Sequence, residues 1–368
     1  MSGESSAIAR LNDYGQSPWY DNLARPLLTG GGLAKLVEVD GIRGVTSNPT
    51  ILDKAIGAGE GYDEQLATCA RQGLSIEDTY WDVVLDDIVA ATDVLRPVFD
   101  AHDGGNGFVS VEVAPTLAHD TAGTIAAARS LHQRVDRPNV MIKIPATLVG
   151  IPAIEETIAS GITVNVTLIF SLDRHAQVIE AYLTGLERLI EAGGDPSTVA
   201  SVASFFVSRV DTETDRRLPE GSPLRGKAAV ANAKLAYELF RRQFSGARWE
   251  AIAARGARLQ RPLWASTSTK NPAYSPTLYV DELIGPDTVN TLAPASIEAL
   301  QRGEGEQRAG TVAEAVEQSH QVMADLAAAG VDIDDVTDTL EREGVDSFAA
   351  SFTDAFGTIE KRRAEVTS

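Results

Sequence analysis

Eight short apolar runs, spaced along the chain with helical patterns between them, govern what this sequence can fold into. They read as strands at Pro18–Leu23, Arg43–Ser47, Gly107–Val113, Asn139–Ile144, Ile162–Leu168, Val199–Phe206, Pro262–Ser266 and Thr288–Leu292. Apolar residues at helical spacing fill the intervals Ile76–Phe99, Thr121–Val135, Leu172–Ala192, Lys227–Phe244 and Thr311–Ala329. Such alternation calls for parallel strands joined by crossover helices. Eight units in one chain predict an α/β fold, a single (β/α)8 barrel of the TIM type with extra helices. The barrel core is expected over about residues 17–300, and a C-terminal helical extension over about 311–368, with no composition break to mark a second domain. That extension carries an acidic cluster (Asp332, Asp334, Asp335) and is expected to pack outside the barrel or across one end.

The polarity of the strands says more than their number. Alternate side chains of a barrel strand point outward to the helices and inward to the axis. In the fifth strand Val164, Val166 and Leu168 share one parity, and Thr163, Asn165 and Thr167 the other. Val109, Val111 and Val113 alternate with Ser110 and Glu112 in the third, and Ile142 and Ile144 flank Lys143 in the fourth. In the first, Asp21 shares a face with Trp19. A barrel built for stability alone fills its axis with branched apolar residues. Inward lysine, carboxylates and amides near the strand ends predict instead a wet, reactive cavity at the C-terminal face.

Composition narrows the chemistry. The formal net charge of −20 disfavours nucleic acid or an anionic membrane surface as partner, so an anionic substrate needs a local basic site. No apolar run reaches membrane-spanning length, and Met1–Arg10 lacks an apolar signal core. With Cys69 alone no intrachain disulfide forms, and a cytoplasmic location is expected. The five histidines show no metal-ligand spacing, so no metal site is expected. Gly30–Gly31–Gly32 lacks dinucleotide-binding spacing and reads as a loop into a helix at Leu33–Glu38.

Lys143 is the natural nucleophile. A lysine is rarely buried without a partner or a task. An amine held among apolar side chains shifts toward its neutral form, which attacks carbonyls to give a Schiff base. A strand-end lysine that snorkels or pairs with an acid would look the same in isolation. Schiff-base chemistry also needs proton transfer, and Asp21 and Glu112 are the inward acids, acting directly or through a water held with Thr167. Asn48 and Asn165 suit the hydroxyls of a polyol, although Asn48 before Pro49 also fits a turn. Arg209 and Lys270 follow the sixth and seventh strands among serines, where barrels bind phosphate. Arg209 could equally pair with Asp211, Glu213 or Asp215.

Two stretches carry a resemblance. Gly44–Val45–Thr46–Ser47–Asn48–Pro49–Thr50 and Met141–Ile142–Lys143–Ile144–Pro145–Ala146–Thr147 resemble the two signatures of transaldolases. The runs Thr269–Lys270–Asn271–Pro272 and Leu278–Tyr279–Val280–Asp281–Glu282–Leu283 resemble the longer bacterial type, and the resemblance extends from Trp19 to about Leu300. It implies that Lys143 forms the Schiff base, that Asp21 is the acid/base, and that Glu112 and Thr167 hold a catalytic water. Asn48 and Asn165 would contact the dihydroxyacetone portion. Ser204, Phe206 and Arg209 match a pattern that places Arg209 on the substrate phosphate. Lys270 stands where shorter members carry arginine, and Ser266 and Ser268 compete for the serine that precedes it. The implied substrates are sugar phosphates, with no organic cofactor or metal. A fructose 6-phosphate aldolase would carry glutamine at Glu112 and tyrosine at Phe206. A catalytically silent sugar-phosphate-binding barrel would have no need of the lysine.

Overall fold

A computed structural model describes residues 6–59 and 61–367. Eight parallel strands, β1 (Gln16–Asp21), β2 (Gly44–Thr46), β3 (Phe108–Glu112), β4 (Val140–Pro145), β5 (Val164–Ile169), β6 (Ser201–Phe206), β7 (Gln260–Ala265) and β8 (Thr288–Leu292), pair in chain order, and β8 closes onto β1. The register sets Asp21 beside Thr46, Glu112 beside Lys143, Lys143 beside Asn165 and Pro145 beside Thr167. Inward positions of neighbouring strands therefore meet at one level, near the C-terminal ends. Outside, the long helices Ile76–Ala101, Thr121–Val135, Leu172–Glu191 and Ala228–Gln243 turn their apolar stripes to the sheet.

The strand limits differ from the apolar pattern at the barrel floor. β1 begins at Gln16 and β7 at Gln260, two residues before the apolar runs. Both glutamines are buried and bonded: Gln16 Nε2 donates to Leu283 O (2.7 Å) and Gln260 Nε2 to Ser201 Oγ (2.9 Å). A polar side chain whose amide nitrogen is bonded can begin a buried strand without registering as apolar, although the amide oxygen of each has no partner among the described residues.

At the end of β5 the strict alternation fails. The pairing to β6 is irregular between Val166 and Ile169, and Leu168 has φ 60°. Leu168 so leaves the outward row of Val164 and Val166 and turns toward the C-terminal helix. There it lies close to Gly344, where an added Cβ would stand 3.0 Å from Leu168 Cδ2. The helical interval at 311–329 is also two pieces, a tight turn at Thr311–Ala313 and a helix at Val316–Ala328, with Ala315 at φ 55° between them. Thr311 Oγ1 accepts a hydrogen bond from Ile284 N (3.0 Å), which ties the turn to the loop before β8.

The last part of the C-terminal extension is one helix of 35 residues, Ile333–Thr367, laid across the C-terminal end of the barrel. Val336, Leu340, Gly344, Phe348, Phe352, Ala355 and Ile359 recur at three- and four-residue spacing and are buried. Phe352 stacks edge-on to Tyr80 with ring centroids 5.0 Å apart, and Thr50 shares a hydrogen bond with Ser351 at 2.7 Å. Burial of rings of this size is worth about 2–3 kcal/mol each. No helix among the described residues is long and apolar enough to cross a membrane.

Candidate active site

The inward register of β4 puts Lys143 at the axis, with Val140, Ile142 and Ile144 on the outer face. Lys143 is 6% exposed. Its Nζ donates to Glu112 Oε2 on β3 at 3.0 Å and reaches Ser47 O at 3.5 Å. The ring of Phe348, from the C-terminal helix, lies over it at 5.4 Å. Burial raises the pKa of Glu112, the Lys143 charge pulls it back, and the Asp21 charge adds to the rise. Removal of either partner would strand the other charge in the interior.

Asp21 ends β1 and keeps part of its surface open to the cavity. Its Oδ1 accepts from Thr46 Oγ1 at 2.7 Å. Burial raises its pKa too, opposed first by that hydroxyl and then by the charges of Lys143 and Lys270. Thr167 Oγ1 is buried and has no hydrogen-bond partner among the described residues. An unmet hydroxyl lining the same cavity as Lys143 is a place for a water or a substrate oxygen.

These groups open into a cavity of about 360 Å³ at the C-terminal end of the barrel, large enough for a phosphorylated sugar. Asp21, Asn48, Lys143, Thr167, Ser204, Phe206, Arg209, Ser266, Ser268 and Lys270 all line it. Of the residues expected from sequence, Glu112 and Asn165 stand behind the wall. Glu112 reaches the cavity through Lys143. Asn165 is a buried link, donating to Ser110 Oγ (3.0 Å) and accepting from Ser204 Oγ (2.7 Å). Asn48 caps the helix Pro49–Ala58, its Oδ1 accepting from Ile51 N at 3.1 Å, so the turn and the cavity share one residue.

Arg209 makes no ion pair with Asp211, Glu213 or Asp215. Asp211 is engaged by Tyr279 and by Ala229 N, Glu213 by Arg216 and Arg217, and Asp215 by Tyr274 and by Gly226 N. The guanidinium lies instead over the Phe206 ring at 5.3 Å, and burial lowers its pKa. Lys270 Nζ donates to Ser268 Oγ at 2.9 Å, and its pKa is lowered by burial and then by the Arg209 charge. Two cations brought this close, one of them depressed by the charge of the other, are poised for a dianion. Ser266 sits at φ 57° and shares a hydrogen bond with Ser208 at 3.0 Å, a strained position of the kind found at binding sites.

The family described as Transaldolase/Fructose-6-phosphate aldolase matches residues 18–359. The chain belongs to this family. It is 49% identical to Transaldolase 2 of Streptomyces avermitilis, over 97% of each chain. It is likewise 49% identical to a transaldolase of Frankia alni (97% of this chain, 98% of the relative), and 50% identical to one of Acidothermus cellulolyticus (96% of each). Transaldolase-family membership makes the chain an enzyme that transfers aldehyde or ketone units, and a lysine Schiff base is the general property of the family.

Among the cavity residues of this transaldolase-family barrel that strand alternation does not single out are Thr46, Lys54 and Phe348. Thr46 belongs to a strand of three residues, too short for alternation to register. Lys54 lies on the helix that Asn48 caps, and adds a fourth cation to Lys143, Arg209 and Lys270. Phe348 lies on the apolar stripe of the last helix, and only the path of that helix brings it over Lys143.

Proposed function

We propose that this chain is a transaldolase of the non-oxidative pentose phosphate pathway. It moves a dihydroxyacetone unit from sedoheptulose 7-phosphate to glyceraldehyde 3-phosphate, giving erythrose 4-phosphate and fructose 6-phosphate. The observation that carries the reading is Lys143, buried at 3.0 Å from Glu112 in a cavity lined by three further cations.

Lys143 Nζ gives up a proton, Glu112 being within reach, and adds to C2 of the ketose phosphate. Loss of the C2 oxygen as water leaves a protonated imine. Asp21 takes the C4 hydroxyl proton as the C3–C4 bond breaks, and the bonding pair passes into the imine to form an enamine. The aldose phosphate leaves. The enamine C3 then attacks the carbonyl carbon of the second aldose phosphate, whose oxygen takes the proton back from Asp21. Water, held between Glu112 and Thr167 Oγ1, hydrolyses the imine and restores the amine. The imine is itself the electron sink, so the reaction as proposed uses no organic cofactor. Burial raises the pKa of Asp21 and Glu112, which makes both carboxylates stronger bases for these transfers.

Asn48 would hold hydroxyls of the three-carbon unit directly. Asn165 would act on Ser204, to which it is bonded. Arg209 and Lys270, with Ser266 or Ser268, would hold the phosphate. Glu112 and Phe206 support transaldolase over a fructose 6-phosphate aldolase. The same reading makes the chain a single catalytic domain, working in the cytoplasm as a monomer or homodimer.

The test is intact-protein mass after incubation with fructose 6-phosphate and borohydride. Wild type is expected to gain one reduced dihydroxyacetone unit, and Lys143→Ala none. An unmodified wild-type protein that is folded would remove the Schiff-base reading. Erythrose 4-phosphate added before borohydride should discharge the adduct and yield sedoheptulose 7-phosphate.

A further inference from the structure

The opposite end of the barrel holds a second cavity, of about 400 Å³, at the N-terminal ends of the strands. Arg43, Arg258 and Arg261 line it, with His102 at its edge and Asp287 as its one carboxylate. Trp19 and Phe108, with ring centroids 6.4 Å apart, form an apolar part of its wall.

The three arginines are in different states. Arg261 spends its terminal nitrogens on neutral oxygens: Gly105 O and Asn106 Oδ1 (both 3.2 Å), Ser17 Oγ and Thr288 O (both 2.7 Å). It has no ion-pair partner among the described residues, and burial lowers its pKa to about 10 against the nearby Asp287 charge. Arg258 donates only to carbonyl oxygens, of Ser197 (3.1 Å) and Asp103. The Arg43 guanidinium has no hydrogen bond and no ion pair among the described residues, although it is half-buried, and burial lowers its pKa with no carboxylate to oppose it. A chain with a net charge of −20 has ample carboxylates to pair such groups, yet this cavity leaves three guanidiniums to one exposed aspartate. Uncompensated guanidiniums in a concave site are the chemistry that recognises phosphate.

We propose that this cavity is a second anion site, which takes a phosphomonoester or inorganic phosphate at the barrel floor, away from the catalytic cavity. Arg43 and Arg258 supply the direct donors. Arg261, locked by its four neutral acceptors, supplies a fixed positive field. The Trp19 and Phe108 rings, almost fully buried, back the wall behind these donors. The site stands whether or not the catalytic reading does, because it shares no lining residue with the catalytic cavity.

The test uses a protein whose catalytic anion site has been disabled, Arg209→Gln/Lys270→Gln. Inorganic phosphate and glycerol 3-phosphate are titrated separately by calorimetry, with tryptophan fluorescence as a second readout because Trp19 lines the site. One saturable site is expected. Adding Arg43→Gln should weaken it about tenfold or more, and Arg43→Lys should restore part of the loss. Tighter binding of glycerol 3-phosphate than of phosphate identifies an ester ligand, and equal binding identifies phosphate alone. Arg43→Gln in the otherwise wild-type chain should still be trapped by fructose 6-phosphate and borohydride, which shows the fold intact. No saturable binding, or binding indifferent to Arg43→Gln, would reduce the arginines to a structural plug and overturn the proposal.

Discussion

At the scale of single residues, burial sets the chemistry, and it does so away from the cavity as well as in it. His175, on the helix Leu172–Glu191, is fully buried beside Phe205, with ring centroids 5.6 Å apart and no partner on either nitrogen. Burial pushes its pKa down to about 4. In the unfolded chain it titrates near 6.5. Between those values the unfolded chain binds a proton that the folded chain refuses, so the His175 contribution to stability is lost as pH falls through that window. The loss reaches about 3 kcal/mol. In His175→Phe that component is absent. Urea unfolding at about pH 7 and about pH 4 should show wild type losing about 3 kcal/mol more than the variant over the interval. Equal losses would mean that the ring is reached by water or protonated in the folded state.

At the scale of elements, Asn48 shows how one side chain serves the fold and the site together. It caps Pro49–Ala58 and also lines the cavity beside Lys143. Serine can cap and alanine cannot. Asn48→Ala should lose about 1 kcal/mol of stability by thermal or urea unfolding, while Asn48→Ser should lose little. Both should lose transfer activity to a similar degree, because neither keeps the amide. Activity that followed stability would leave Asn48 a cap alone. The sequence before Pro49 predicts this turn, and the alternation of β3, β4 and β5 predicts which residues face inward. What local pattern does not carry is where a strand begins on a buried glutamine, as at Gln16 and Gln260, or where a bulge turns Leu168 out of its row. Those depend on partners remote in sequence, such as Leu283 for Gln16. The placement of Phe348 over Lys143 is of the same kind, since periodicity marks the stripe of Ile333–Thr367 but not the surface it covers.

At the scale of the whole molecule, two fields oppose each other at the mouth of the barrel. The chain carries a net charge of −20, which repels an anionic sugar phosphate. The cavity presents Lys54, Lys143, Arg209 and Lys270 against one lining carboxylate, Asp21. Range decides between them. At an ionic strength of about 0.1 M, charges more than about 10 Å from the substrate are largely screened, whereas cations in contact with it are not. The local attraction should therefore dominate once the substrate is at the mouth. Salt should then weaken binding: raising it from about 0.05 to about 0.5 M should increase KM for fructose 6-phosphate by about threefold or more. The phosphate is held alike before and during bond breaking, so kcat should change by less than about twofold. Lys54 lines the cavity and makes no ion pair among the described residues, so Lys54→Gln should raise KM at low salt and flatten its salt dependence. If KM falls instead as salt rises, the repulsion of the whole chain governs capture, and the four cations act only after the substrate has entered.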